Sequence, residues 1–305
     1  MRERKRKRLN TKGKIVVSII GISMIVLLSG ILGNNVKEAA KENKTKIQES
    51  LETLSFYSEP MAALADSTLS QSIIEKNLEE HELARLEAFA KQNEQDQREN
   101  VIYLTFDDGP SQVSHQLLDI LDDYDMKATH FMIGPNIQKY PEAVKKMNED
   151  GHGLALHGMT HNVKKIYGSS SAPLKEMTKT MELVEDVTGV STQVVRLPYG
   201  SFPYLTEEMR YVLTQHDFTV WDWNVDTLDW EFQNQRYVQH SIQEIQKLKQ
   251  KGETPIVLLH DKPQTVKHLP KLLSYIKKQG YKTKVLTNEM APITFPCNGR
   301  CVSIK

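Results

Sequence analysis

The sequence lacks the cysteine pattern of small disulfide-rich secreted proteins and the glycine-rich loop that binds nucleotide phosphates. Only two cysteines, Cys297 and Cys301, occur among 305 residues, so the chain has no disulfide framework. No glycine-rich phosphate loop follows a predicted strand, which disfavours a nucleotide-binding sheet. No cysteine follows the apolar run at residues 15–32, so a lipoprotein anchor has no acceptor residue. These absences leave a globular domain with an N-terminal appendage.

The formal net charge is zero, but the charges are distributed unevenly along the chain. Residues 1–14 hold eight lysines and arginines and one acid, a net charge of +7, which leaves −7 for the other 291 residues. A mildly acidic body does not favour the phosphate backbone of a nucleic acid. We therefore expect no nucleic-acid partner.

Residues 15–32 form a long apolar run of 18 residues without a charged side chain. As a helix this run would span about 27 Å, close to the thickness of a bilayer core. The positive-inside rule would keep the basic segment in the cytoplasm, so the rest of the chain would be exported. We predict a cytoplasmic tail at 1–14 and a transmembrane signal anchor at 15–33, with the remainder outside the cell membrane. A cleavable signal peptide with a weak small-residue site is the alternative, and it would give a secreted protein.

Residues 34–100 are rich in Lys, Glu, Gln and Asn and contain a single proline. Apolar residues recur at loose helical spacing between residues 69 and 90, amid many charges. We predict a polar, partly helical stalk. A solvated spacer helix is favoured, and a short coiled coil or a small packing module remain alternatives.

Short apolar runs and amphipathic segments alternate about seven times after residue 100, which predicts an α/β fold with a parallel sheet. The segment at residues 171–189 is a strong helix signal, with a capping hydroxyl before a first-turn proline and a closing glycine. A barrel and an open doubly wound sheet fit the pattern equally. The predicted strands are 101–106, 128–133, 154–157, 194–197, 218–225, 255–259 and 281–286, and the other predicted helices are 113–124, 141–150, 206–216, 236–251 and 266–279.

Five predicted strand ends carry ionisable side chains. Catalytic groups collect at the carboxyl ends of parallel strands, whereas polar residues with a structural role would be expected at both ends. We therefore expect a functional site at this edge of the sheet. The five segments are DDGP at 107–110, HGMTH at 157–161, RLPYG at 196–200, DTLDW at 226–230 and LLH at 258–260.

Two histidines and two aspartates among these residues suit a metal site. His157 and His161 are four residues apart, and one helical turn would put both imidazoles on one side. A carboxylate from Asp107 or Asp108 would complete a site with open positions, which suits catalytic zinc or a similar divalent ion. Neighbouring side chains of an extended chain point opposite ways, so the second aspartate could act as general base. Taken singly, the histidine pair could be coincidental and Asp-Asp-Gly-Pro a turn.

Together, the five segments resemble the motifs of the polysaccharide deacetylase family with the NodB homology domain, carbohydrate esterase family 4. TFDDGP at 105–110 is similar to its first motif, and the other four follow in the family order, across about 190 residues. The resemblance implies an irregular (β/α)7-type barrel as catalytic domain at residues 101–290. It also implies hydrolysis of acetyl groups on a glycan.

The resemblance further implies a role for each matching residue. Asp108, His157 and His161 would bind one divalent metal ion, with Zn²⁺ as first choice and Co²⁺, Mn²⁺ or Ni²⁺ as alternatives. Asp107 would be the general base. His260 would be the general acid that protonates the departing amine.

Five further residues would support these groups. Arg196 would orient the base, and Asp229 would pair with the acid. The backbone N–H of Tyr199 would stabilise the oxyanion, and Trp230 and Leu258 would form the walls of a pocket for the acetyl methyl group.

Two positions of the histidine motif depart from the family pattern. Gly158 replaces the usual Ser or Thr, and Asn162 stands where proline is common. Both substitutions affect the geometry of the loop, and neither removes a ligand.

An exported enzyme on a tether would face the cell wall, so N-acetylglucosamine of peptidoglycan is the expected substrate. N-acetylmuramic acid, poly-N-acetylglucosamine, chitin oligomers and O-acetyl xylan are alternatives that the sequence leaves open. A catalytically silent wall-binding protein is the rival of another class, but such a protein would need neither a base nor an acid. In the C-terminal tail, residues 291–305, Cys297 and Cys301 could form a small disulfide loop or remain free thiols.

Overall fold

The computed structural model describes residues 84–297 and 300–304. The predicted cytoplasmic tail, the anchor at 15–33 and the stalk as far as residue 83 lie outside these residues. Among the described residues, no helix is both long and apolar enough to cross a membrane. The described part comprises the end of the predicted stalk, the predicted catalytic domain and most of the C-terminal tail.

The end of the predicted stalk is a helix, α1, which covers residues 84–99 of the described chain. Its Asp96 is buried and accepts a hydrogen bond of 2.8 Å from the Tyr103 hydroxyl, and it lies 3.3 Å from the Lys284 ammonium. The Asn93 carboxamide donates to the Gly252 carbonyl and accepts from the Thr254 N–H. Residues 84–99 are therefore attached to the domain that follows them.

Eight parallel strands form one sheet, in the order β5-β4-β3-β2-β1-β7-β6, with β8 also paired to β1. Parallel neighbours need crossover connections, and helices supply most of these here. The strands are β1 Val101–Gly109, β2 Thr129–Met132, β3 Gly153–Leu156, β4 Val194–Val195, β5 Thr219–Val220, β6 Val225–Asp226, β7 Ile256–His260 and β8 Lys282–Lys284.

Residues 218–225, predicted as one strand, form two strands separated by four residues. The Trp221 N–H donates to the Val195 carbonyl at 2.8 Å, and the Asn224 N–H donates to the Ile256 carbonyl at 3.2 Å. Since β4 and β7 lie towards opposite ends of the sheet, these four residues carry the chain from one end to the other. Within the described residues β5 and β6 do not pair, so the parallel sheet is a half-barrel rather than a closed barrel.

Nine helices follow α1 in the described chain. Three of them, Gly134–Lys139, Val163–Ile166 and Asp229–Phe232, have six, four and four residues and were not predicted, because such short helices give no periodic signal. The nine are α2 Ser114–Asp123, α3 Gly134–Lys139, α4 Pro141–Glu149, α5 Val163–Ile166, α6 Ala172–Thr188, α7 Glu207–Thr214, α8 Asp229–Phe232, α9 Arg236–Lys251 and α10 Pro263–Lys278.

The ends of α6 agree only partly with the sequence prediction. Gly189 ends the helix in the left-handed conformation, with φ of 71°, as predicted. The Ser171 hydroxyl makes no capping hydrogen bond, so that part of the prediction is wrong. Ser171 has helical dihedral angles, φ −91° and ψ −6°, whereas a side chain that caps normally starts from an extended backbone.

The two faces of β1 have different neighbours. Ile102, Leu104 and Phe106 belong to a core cluster formed with helices on the outer face. Val101 and Tyr103 belong to a cluster on the inner face. Since side chains alternate along a strand, Thr105 and Asp107 continue the inner face towards the carboxyl end of the sheet.

Candidate active site

The predicted site residues lie at the carboxyl ends of five strands, β1, β3, β4, β6 and β7, and Asp229 and Trp230 are the residues that follow β6. Asp107 and Asp108 end β1, and His260 ends β7, where it is the register partner of Asp107. His157 follows β3, and Arg196 follows β4. The predicted clustering of polar side chains at one edge of the sheet is therefore observed.

The two aspartates do not point in opposite directions, as an extended chain would require. Asp107 Oδ2 and Asp108 Oδ1 both lie 3.7 Å from His157 Nε2. Asp108 has a positive φ of 69°, and the register between β1 and β2 shifts between Asp107 and Gly109. This bulge turns the second carboxylate towards the same imidazole as the first.

Asp108, His157 and His161 form a set of candidate metal ligands, whose ligand atoms all lie within 4.8 Å of one another. Asp108 Oδ1 is 3.3 Å from His161 Nε2, and it is buried without a hydrogen-bond partner. His157 Nδ1 lies 2.7 Å from the Arg196 carbonyl, which can only accept, so Nδ1 carries the proton and Nε2 presents a lone pair. Two imidazoles and one carboxylate fit a zinc-like ion with an open position.

The charges of this set also suit a cation. Burial lowers the pKa of His157 below its usual value, although the two aspartates act in the opposite direction, so the imidazole is held neutral. Burial would raise the pKa of Asp108, but neighbouring positive charges, Lys262 and His260 among them, lower it to about 2. A neutral imidazole and an ionised carboxylate are the forms that bind a metal.

The two histidines converge through a loop, not through the helical turn that their spacing suggested. Gly158 and His161 have positive φ values of 84° and 42°. Glu176 of α6 accepts hydrogen bonds from the Met159 N–H at 2.9 Å and from the Thr160 N–H and hydroxyl at 3.0 and 2.6 Å. A Cβ at Gly158 would lie 3.0 Å from the Glu176 carboxylate, so the glycine leaves room for the group that braces the loop.

Arg196 is fully buried and holds Asp107. Its Nη1 donates to Asp107 Oδ1 at 2.9 Å and to the Thr105 hydroxyl at 2.7 Å. Its Nε and Nη2 donate to the carbonyls of Trp221 and Asp222 at 3.1 and 2.9 Å. The guanidinium is fixed by these bonds, and it occupies one oxygen of Asp107 while the other faces His157.

Asp229 holds His260 through two contacts. Asp229 Oδ1 lies 2.8 Å from His260 Nδ1, and Oδ2 accepts from the His260 N–H at 2.9 Å. Burial would raise the pKa of Asp229, but the hydrogen bond from His260 lowers it below its usual value. Burial would lower the pKa of His260, but Asp229 raises it above its usual value. The pair therefore favours a carboxylate beside an imidazolium that can donate a proton.

Tyr199, Trp230 and Leu258 border this arrangement in different ways. Tyr199 is half exposed, its hydroxyl donates to the His161 carbonyl at 3.1 Å, and the two rings are 4.7 Å apart. Trp230 is half exposed, and its Nε1 donates to Asp226 Oδ1 at 3.3 Å. Leu258 is buried, and strand alternation puts it on the same face of β7 as His260.

Comparison with known proteins identifies the family of this chain. A family model described as polysaccharide deacetylase matches residues 94–221. YheN, a polysaccharide deacetylase candidate of Bacillus subtilis, is 40% identical over 204 residues, which are 66% of this chain and 72% of YheN. The chain belongs to the polysaccharide deacetylase family. Members of this family are hydrolases that act on acetylated glycans.

A sequence relative and a solved structure, both from Bacillus cereus, give the same result. A peptidoglycan-N-acetylglucosamine deacetylase is 37% identical over 201 residues, which are 65% of this chain and 72% of that protein. A crystal structure of a polysaccharide deacetylase superposes with a TM-score of 0.59 at 35% identity, and covers 64% of this chain and 97% of that one. The half-barrel is therefore the fold of the family, and it is consistent with the (β/α)7-type barrel that the five motifs implied.

Two contacts of the deacetylase site were not predicted from the sequence. Lys262 Nζ lies 2.9 Å from Asp108 Oδ2, and Glu176 braces the histidine loop. The position of Lys262, two residues after His260, was the only available signal for the first. Glu176 lies within an amphipathic helix, where nothing in the sequence distinguishes it from other acids.

The C-terminal tail contains a Cys297–Cys301 disulfide, one of the two alternatives left open by the sequence. The Phe295 N–H donates to Asp222 Oδ2, and the Asp222 N–H donates to the Ile293 carbonyl. The tail is thereby attached to the residues that cross between β5 and β6.

Proposed function

We propose that the protein is a metal-dependent deacetylase that removes the acetyl group from N-acetylglucosamine of peptidoglycan. The observation that carries the proposal is the buried, unpaired Asp108 Oδ1, which faces the Nε2 atoms of His157 and His161 beside a second carboxylate. A divalent cation, zinc as first choice, would supply Lewis acidity to the acetyl carbonyl and the attacking water. The name and the 37% identity of the Bacillus cereus relative support the choice of sugar.

The side chains around the three candidate metal ligands carry out the remaining steps of the reaction. Asp107, held through one oxygen by Arg196, takes a proton from the attacking water with the other. His260, charged beside Asp229, donates a proton to the amide nitrogen as the C–N bond breaks, which releases acetate and a free amine. The Tyr199 N–H would stabilise the oxyanion, and Trp230 and Leu258 would border the methyl group.

The test is release of acetate from purified peptidoglycan, with and without a chelator, followed by mass spectrometry of the released sugars. We expect acetate release that is lost on chelation and restored by zinc, with glucosamine as the product sugar. Deacetylated muramic acid as the product would identify a different substrate sugar but the same class of reaction. Absence of acetate from peptidoglycan, from chitin oligomers and from acetylated xylan would favour a silent wall-binding protein and contradict the proposal.

The location of the enzyme is part of the proposal. A single-pass membrane protein, anchored through residues 15–33 with its catalytic domain outside, would meet peptidoglycan directly. Support comes from the uncharged run and the basic segment before it.

A further inference from the structure

The two carboxylate oxygens of Asp108 have different neighbours, and Lys262 contacts only one of them. Its ammonium lies 2.9 Å from Oδ2. Oδ1 remains buried without a hydrogen-bond partner and faces the two histidines. An aspartate with both oxygens free can bind a metal ion through one or both, whereas this one presents a single free oxygen.

The backbone fixes Lys262 at this place. Its N–H donates to the His260 carbonyl at 2.8 Å. Its own carbonyl accepts from the Thr265 and Val266 N–H groups, both at 3.0 Å, in the first turn of α10. The Lys262 side chain, which is 37% exposed, therefore starts from a connection between β7 and α10 that is fixed by backbone hydrogen bonds.

The charges at the site are matched in pairs. Arg196 forms an ion pair with Asp107 at 2.9 Å, and Lys262 forms one with Asp108 at 2.9 Å. A divalent cation would then meet carboxylates whose charge is already offset, and would keep more of its own charge for polarising a carbonyl.

We propose that Lys262 is a positioning residue, which occupies Asp108 Oδ2 so that Asp108 offers Oδ1 alone, and which offsets the charge of that carboxylate. The inference rests on the proposed metal-dependent function. Its consequence is that the site binds a metal ion less tightly than it could. The Lys262 ammonium orients Asp108, and it also repels a divalent cation. Because the ion pair is partly exposed, we expect the gain from orientation to be smaller than the repulsion, which decides the sign of the effect on the zinc Kd.

The experiment compares Lys262→Met, which removes the charge and the donor, with Lys262→Arg, which keeps both. Lys267→Met changes an exposed lysine of α10 and is the matched control. For the whole chain, the zinc Kd is measured by competition with a chelator, and kcat and KM are measured from acetate release. Thermal unfolding shows that each variant is folded.

We expect Lys262→Met to lower the zinc Kd about tenfold or more and to lower kcat, because the ammonium no longer opposes the cation. The zinc Kd and kcat of Lys262→Arg and Lys267→Met should stay within a few-fold of the wild-type values. An unchanged or raised Kd in Lys262→Met would overturn the inference, as would a rise in KM alone, which would indicate a substrate anchor. A wild type that binds zinc but releases no acetate would refute the proposed function, and the Kd comparison would still decide the role of Lys262.

Discussion

Asp107 and His260 are register partners on neighbouring strands, yet each is held by a different side chain. Arg196 holds Asp107 through one oxygen, and Asp229 holds His260 through Nδ1. The ion pair with Arg196 leaves Asp107 one carboxylate oxygen free to accept a proton. The anion beside the imidazole favours the protonated form of His260, so the two residues suit the roles of base and acid in amide hydrolysis.

The role of Asp107 can be tested by Asp107→Asn. Asparagine keeps the size of the side chain but cannot take a proton, so we expect zinc to remain bound and kcat to fall about 10²–10⁴-fold. The measurements are the metal content of the purified variant and its acetate release. Activity within a few-fold of the wild type would make Asp107 a structural residue.

The role of Asp229 can be tested through the pH dependence of kcat. Asp229 raises the pKa of His260, so the acid stays protonated above the usual pKa of a histidine, and kcat falls only as pH rises through the raised value. Asp229→Asn keeps an acceptor for Nδ1 but removes the charge. The descending limb of the profile should therefore move to lower pH, and a limb that does not move would contradict the role of the charge.

His130, in β2, is a buried histidine outside the site. Neither ring nitrogen of His130 has a hydrogen-bond partner among the described residues, and burial holds the pKa of His130 well below its usual value. The unfolded chain takes up this proton below pH about 6.5, so the native state loses up to about 1.4 kcal/mol per pH unit there. His130→Leu should therefore raise Tm more at pH 5 than at pH 8, and equal changes at both would contradict this account.

At the scale of elements, α6 controls the histidine loop through Glu176. The carboxylate accepts three hydrogen bonds from residues 159 and 160, between the two histidines. Glu176→Ala should weaken zinc binding about 10–100-fold, because groups that orient metal ligands typically contribute that much. Glu182→Ala, on the exposed side of the same helix, is the control. Equal zinc Kd values for the two variants would show that the histidine loop keeps its conformation without Glu176.

The elements also show how far the sequence could predict this fold. The apolar run at residues 101–106 was correctly predicted as a strand, because both faces of β1 are buried. The run at residues 218–225 looked the same, but its middle crosses between the ends of the sheet, and only the tertiary structure requires that crossing. The five strand-end segments were predicted because each is local in sequence. The contacts of Glu176 and Lys262 join residues that are distant in sequence, so no local sequence pattern predicts them.

At the scale of the whole chain, the distribution of charge and apolar residues predicts an anchored enzyme. Residues 1–14 carry the positive charge, and residues 15–32 carry none. Protease added to intact protoplasts should therefore remove the catalytic domain and spare a cytoplasmic marker protein. Ile25→Arg should reduce the membrane-bound fraction, since an arginine near the centre of the run costs about 2.5–3.5 kcal/mol on insertion, whereas Ile25→Leu should not. A mature N-terminus near residue 34 would instead identify a cleaved signal peptide, and the enzyme would then act as a secreted protein.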